Sequence, residues 1–191
     1  MAKPIGLLLL LLGVIHGRML AQESATTPDS REQKINWPSG YEPSGSKFYV
    51  HNEIQVAAPP QVVWEILIDA EAWPAWYQGA KKVALAGEKE KTLGTASVFS
   101  WQTMGLKFNS IIKEFVPFTR LSWESKKKSI QGYHAWLIIP TQKGCKVITD
   151  ESQNGWLTLL EKTFQPKKLY KLHNRWLEQL KKKAETEYQS R

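Results

Sequence analysis

Six short segments between positions 80 and 153 constrain this chain more than any other feature. They read AKKVALAGE (80–88), TASVFSWQTM (95–104), LKFNSIIKEFVP (106–117), RLSWESKKKS (120–129), YHAWLIIPT (133–141) and CKVITDESQ (145–153). Apolar residues recur in them at alternate positions, the period of a strand. Gly94, Gly105, the corner Pro117-Phe118-Thr119, Gly132 and Gly144 separate them. Connections this short close hairpins and leave no room for crossover helices, so the segments predict an antiparallel sheet.

A seventh strand precedes them. KFYVHNEIQVAA (47–58) places Phe48, Val50, Asn52, Ile54 and Val56 on one face. Pro59-Pro60 stops it and starts a helix, because proline is tolerated in a first turn. Val62, Val63, Ile66 and Leu67 then follow at helical spacing, and 69–77 makes a second short helical turn broken at Pro74. The stretch 156–189 predicts one long helix, kinked at Pro166. Its apolar stripe is Leu169, Leu172, Trp176 and Leu180, widened by His173 and Leu177. Lys168, Lys171, Arg175 and Lys182 form a basic stripe elsewhere on it. The expected architecture is α+β: a seven-stranded curved antiparallel sheet wraps around the long C-terminal helix, with two short helices after the first strand.

Strand parity decides which side chains meet. Ser97, Phe99, Trp101 and Thr103 share one face of the third strand, and Leu106, Phe108, Ser110 and Ile112 one face of the fourth. Leu121, Trp123 and Ser125 follow in the fifth, His134, Trp136 and Ile138 in the sixth, and Val147, Thr149 and Glu151 in the seventh. Turned inward, these faces line one aromatic chamber with Ser110, His134, Thr149 and Glu151 as isolated polar groups. Small-molecule sites have such walls. A solid core with satisfied polar groups has them too, and nine tryptophans fill space. His134 and Glu151 are the only inward pair resembling an acid/base couple, and they sit in neighbouring strands of a hairpin. The alternative role for the pair is a structural tie. His173, beside the helix stripe, is within reach of the same chamber.

The segments IQVAAPPQVVWEILIDAEAWPAWYQGAKKV (54–83), IIKEFVPFTRLSWE (111–124) and YHAWLIIPTQKGCKVITDES (133–152), with Gly155 opening the last helix, carry a family likeness. The chain resembles the START-like superfamily, also called SRPBCC, with the helix-grip fold of birch-pollen-allergen-like proteins, and within it the polyketide cyclase/dehydratase-like branch. The likeness runs from Phe48 to about residue 185. It implies a deep apolar cavity between sheet and C-terminal helix, with Trp73, Trp76 and Tyr77 at one rim. A ligand would then meet Trp76, Tyr77, Phe99, Trp101, Phe108, Ser110, Trp123, His134, Trp136, Thr149, Glu151, His173 and Trp176. The likeness implies no reaction, because one fold of this kind serves carriers, receptors and enzymes.

Charge and motifs narrow the partners. The chain carries +8, which favours anionic partners. The runs at Lys126–Lys128 and Lys181–Lys183 lack interleaved aromatics, so no nucleic-acid role is expected. Solvated lysines or an acidic membrane surface account for them. Cys145 is the single cysteine, the four histidines are scattered, and H-E-x-x-H, G-x-S-x-G and phosphate-binding glycine loops are missing. No metal and no cofactor are therefore expected.

Lys3 and the apolar run IGLLLLLLGVI (5–15) predict a signal peptide over 1–21, cut after Ala21, because a bilayer span takes about 20 residues. The chain is then periplasmic or secreted. Met19 stands where cleavage prefers a small residue, and this leaves an uncleaved membrane anchor as the alternative. Residues 22–46 read as a flexible linker in which Trp37 and Tyr41 are poised to dock, and 47–191 as a monomeric ligand-binding domain. Three functions fit: a carrier for a lipid-like or polycyclic aromatic molecule, a cyclase- or dehydratase-type enzyme using His134 and Glu151, and an envelope-surface module using the basic helix.

Overall fold

The computed structural model describes residues 34–87 and 91–191. The expected signal segment 1–21 lies outside the described residues, as do positions 22–33 of the expected linker.

The elements in order are β1 (Phe48–Val56), α1 (Pro60–Ile68), α2 (Trp73–Trp76), β2 (Lys81–Leu85), β3 (Val98–Thr103), β4 (Leu106–Val116), β5 (Arg120–Lys126), β6 (Gln131–Thr141), β7 (Gly144–Asn154), α3 (Trp156–Phe164) and α4 (Lys168–Gln189). The strands form one antiparallel sheet in the order β1-β7-β6-β5-β4-β3-β2. This is the α+β helix-grip arrangement: β2 to β7 meander, and β1 closes onto β7.

Alternation explains the packing. Phe48, Val50, Asn52 and Val56 of β1 are buried, as are Phe108, Ser110 and Ile112 of β4, while their neighbours face out. On α4, Leu169, His173, Trp176, Leu177, Leu180 and Ala184 are buried, a stripe of helical period laid along the concave face of the sheet. Trp73, Phe99, Trp101, Trp123 and Trp176 meet between them at ring distances of 5.3–6.2 Å. Trp73 is wholly buried, its N–H donating to the Leu67 carbonyl at 3.1 Å. Trp64 is buried too, edge-on to Phe115 at 5.0 Å.

Several expectations change. Pro166 breaks the C-terminal helix rather than kinking it: α3 ends at Phe164 and α4 begins at Lys168. The residue before a proline is driven out of the helical region, and Gln165 has ψ 53. Pro74 starts α2 rather than breaking a helix, for the same first-turn reason as Pro60. β2 is short because Lys82 has φ 49 and the register with β3 slips between Lys81 and Ala84.

The described part of the expected linker, 34–46, is packed rather than free. Tyr41 and Trp37 lie on Tyr133 of β6 at 5.6 and 5.7 Å between ring centres. Asn36 donates to Glu114 at 2.7 Å. This strap covers part of the outer face of the sheet. It explains why Tyr133 and Ala135 are buried along with His134 and Trp136.

Candidate functional site

The site lies between the concave sheet and α4, at the end of the molecule formed by the β3–β4 and β5–β6 turns. Register sets its centre. His134 of β6 stands directly opposite Glu151 of β7, and Trp136 opposite Thr149. The His134 imidazole is stacked between Trp123 at 4.5 Å and Trp136 at 5.5 Å, which fixes its plane. Its Nδ1 is 3.2 Å from Glu151 Oε2 and its Nε2 is 2.8 Å from Thr149 Oγ1.

α4 supplies a third member. His173 Nε2 lies 3.1 Å from the same Glu151 Oε2. The other carboxylate oxygen accepts a hydrogen bond from Gln153 Nε2 at 2.6 Å. One buried carboxylate thus ties two strands to the helix through two imidazoles.

Electrostatics follow from that geometry. Burial among tryptophans holds the His134 pKa down at about 4, against the partial support of Glu151, so this imidazole is neutral at pH 7. For Glu151, burial pushes upward, yet the hydrogen bonds from His134 and His173 outweigh it and hold the carboxyl well below its usual range. Burial, with the Glu151 carboxylate behind it, raises the Tyr77 phenol far above its ordinary value.

Beside the cluster is a cavity of about 40 Å³. At roughly 10–15 Å³ per water-sized probe it holds about three or four waters. The deep cavity implied by the family resemblance is therefore nearly filled here. Tyr77 stacked on Trp176 (4.3 Å, 10° between planes) and the Trp101 and Trp123 rings occupy that space.

Of the thirteen residues expected to meet a ligand, Tyr77, Trp101, Phe108, Trp123, His134, Glu151, His173 and Trp176 line the cavity. Phe99, Ser110, Trp136 and Thr149 stand behind that lining. Ser110 accepts the Trp101 indole N–H at 2.9 Å and shares a hydrogen bond with Ser125 at 2.7 Å, so it holds a wall in place. Trp76 is outside the lining, packed at the edge of the core.

Sequence parity left out Gln153, Met104, Leu169, Leu172, Ile130 and Gly132, which complete the cavity and its mouth. Gln153 was legible in principle, being two residues beyond Glu151 on the same strand face.

The scattered histidines do come together: His134, Glu151 and His173 offer ligand atoms within 4.8 Å of one another. Two imidazoles and a carboxylate suit a zinc-like ion. Ligands about 2.0 Å from a tetrahedral centre stand only about 3.3 Å apart, so the imidazoles would have to close on it and give up their bonds to the carboxylate. As arranged, they form a hydrogen-bonded network.

The family model described as "polyketide cyclase / dehydrase and lipid transport" matches residues 47–185. No curated protein matches the chain. A hypothetical protein of Helicobacter pylori shares the fold with a TM-score of 0.74 and 24% identity, over 79% of this chain and 96% of that one. Norcoclaurine synthase from Thalictrum flavum, solved with dopamine and hydroxybenzaldehyde, aligns with a TM-score of 0.55 and 14% identity, over 71% of this chain and 84% of its own. The di-domain ARO/CYC protein BexL of the BE-7585A biosynthetic pathway aligns with a TM-score of 0.57 and 16% identity, over 72% of this chain and 50% of that protein.

Proposed function

The chain belongs to the polyketide cyclase / dehydrase and lipid transport family, and on that premise we propose that it is an exported binding protein for a small apolar or aromatic molecule carrying one polar group. The observation that carries this reading is the Glu151 carboxylate, held between two imidazoles and facing a largely apolar cavity. Apolar walls supply affinity and the cluster supplies orientation. Trp176 Nε1 and His173 Nδ1, both on residues that line the cavity, are buried without a hydrogen-bond partner among the described residues. Such groups are costly to leave unpaired, and a polar ligand atom placed there would satisfy them. The cavity admits a ligand larger than a few waters only when side chains at its mouth, Met104 and Leu172 among them, swing aside.

A cyclase- or dehydratase-type reaction is the second reading, favoured by the same neutral imidazole beside a carboxylate. It is weaker because both His134 nitrogens are already engaged, with Glu151 and with Thr149. A base must first give up one of those bonds.

Native mass spectrometry of the protein isolated from its own host, with extraction of any bound molecule, tests the binding reading. A stoichiometric apolar compound that rebinds and quenches tryptophan emission supports it. A chain that emerges empty and binds no apolar probe refutes it. If the rebound compound is instead converted, and His134→Gln abolishes conversion while leaving binding intact, the enzymatic reading replaces it. Export is checked on the same material: the chain should begin near Gln22.

A further inference from the structure

α3 carries its apolar face outward. Trp156, Leu159, Leu160 and Phe164 follow at spacings of three and four, which puts them on one side of the helix. They are exposed at 60, 46, 45 and 76%, respectively. Core-facing helices turn such a stripe inward; α3 buries Thr158 and half-buries Leu157 and Glu161 instead.

The position of this ridge is fixed. Leu157 N–H donates to the Ser129 carbonyl at 3.0 Å, which pins the start of α3 to the β5–β6 turn. Gly155, with φ +108, allows that approach, since a Cβ there would lie 2.4 Å from the same carbonyl. Lys162 Nζ donates to the Lys47 carbonyl at 3.0 Å and pins its far half to the start of β1. The cavity mouth is at this same end of the molecule: Ile130 and Gly132 follow Ser129, and Leu169 begins the buried stripe of α4.

The ridge is flanked by positive charge. Between Ser152 and Leu177 the cations are Lys162, Lys167, Lys168, Lys171 and Arg175, against the single acid Glu161. At the other end of the ridge, the turn that holds α3 contributes Lys127 and Lys128, beside Lys126, which is paired with Glu124 at 2.8 Å. A second copy of this chain would bring like charges together. An anionic bilayer accepts both features: the apolar face enters the boundary between headgroups and acyl chains, and the lysines meet the lipid phosphates.

We infer that α3 is an interfacial anchor that seats the cavity-mouth end of the protein on an anionic phospholipid surface. The inference goes beyond the binding reading and stands without it, since it rests on the helix and its charges and not on a ligand.

Hydrogen exchange of the full chain tests it, using vesicles of phosphatidylcholine alone and of phosphatidylcholine mixed with phosphatidylglycerol. A local readout is needed because the apolar run 5–15 can hold a vesicle by itself. Mixed vesicles should slow exchange across 156–171 by roughly tenfold or more. The double variant Leu160→Ser/Phe164→Ser should lose that protection, and Lys167→Glu/Lys171→Glu should lose the preference for anionic lipid. All four side chains are surface groups, and circular dichroism confirms that the variants remain folded. Vesicle-bound protein with unprotected 156–171 overturns the inference. So does protection that grows with protein concentration in the absence of lipid, which identifies a second copy as the occupant. Equal protection by neutral vesicles, indifferent to the lysine variant, overturns the assignment to anionic lipid.

Discussion

Replacing Glu151 separates its charge from its shape. Glu151→Gln keeps the outline and loses the charge; Glu151→Leu loses both. In the glutamine variant the amide oxygen can take the place of Oε2 and still accept from both imidazoles. The new NH₂ then faces Gln153, whose amide can flip to receive it, because Gln153 Oε1 has no partner to lose among the described residues. Only charge assistance disappears. Bonds to charged groups are worth about 1.5–3 kcal/mol and neutral ones about 1, so two weakened imidazole bonds cost about 2 kcal/mol after the relief of burying no charge. Leucine leaves both imidazoles without that partner, at about 1–3 kcal/mol each, or about 4 kcal/mol together. For a folded unit of this size, melting falls by roughly 3 °C per kcal/mol, so decreases near 6 and 12 °C are expected at pH 7.

The pH dependence then checks the charge. Glu151 ionises more readily in the fold than in the unfolded chain, so its contribution is present above its ordinary pKa of 4.5 and is lost as pH falls below that value. Near pH 3 that loss reaches about 2 kcal/mol, at about 1.4 per pH unit. The gap between wild type and Glu151→Gln should therefore close in acid. Melting curves from pH 7 to 3 for the three proteins decide it. A gap that stays constant, or a leucine variant no worse than glutamine, refutes the ionised cluster.

Four further outcomes are expected. The His134 imidazole should titrate near pH 4 by NMR; its contribution to stability should fall, by about 3 kcal/mol in total, as pH drops from the ordinary 6.5 through 4, because the unfolded chain takes up that proton first. Trp101→Ala should lower stability by about 3–5 kcal/mol in denaturant titrations, and it should tighten binding of an apolar fluorescent probe by enlarging the cavity. Cys145, buried with its thiol pKa pushed up to about 11, should react with a disulfide reagent only at the rate of global unfolding. Gly144→Ala should cost roughly 2–4 kcal/mol by the same titration: Gly144 has φ +129, and a Cβ would lie 2.2 Å from the Val56 carbonyl.

Alternation in the segments from Ala80 to Gln153 was enough to predict the sheet and the inward face of each strand, because a half-buried strand writes its burial directly into its period. That parity also placed His134 opposite Glu151. His173 was visible only as a neighbour of the α4 stripe; which strand residue it meets depends on helix placement, and no local pattern encodes that. The strap at 34–46 is legible only in part. Its composition is that of a linker, and Trp37 and Tyr41 stand out in it as rings poised to dock, but that they dock on Tyr133 of the outer face is written in no local pattern. Cavity size was the largest departure from the expected site. Parity says which rings point inward, whereas the stacking of Tyr77 on Trp176 that consumes the space is a matter of rotamers. Pro166 was recognised as a disruption, but its strength depends on the two helices having separate surfaces to rest on, which α3 and α4 do.

The order of strands has a consequence in time. β1 lies at one edge and bonds only to β7, with Phe48 opposite Gln153, about 100 residues later. Emerging first, β1 can find its place only after the rest of the sheet exists. At about 5–20 residues per second, synthesis alone imposes a wait of at least about 5 s. The slowest native contact is thus the one that completes the sheet at its β1 edge, and a chain halted before Cys145 is left with its first strand unpaired. Such a partly made chain exposes an open strand edge, the form that chaperones must hold.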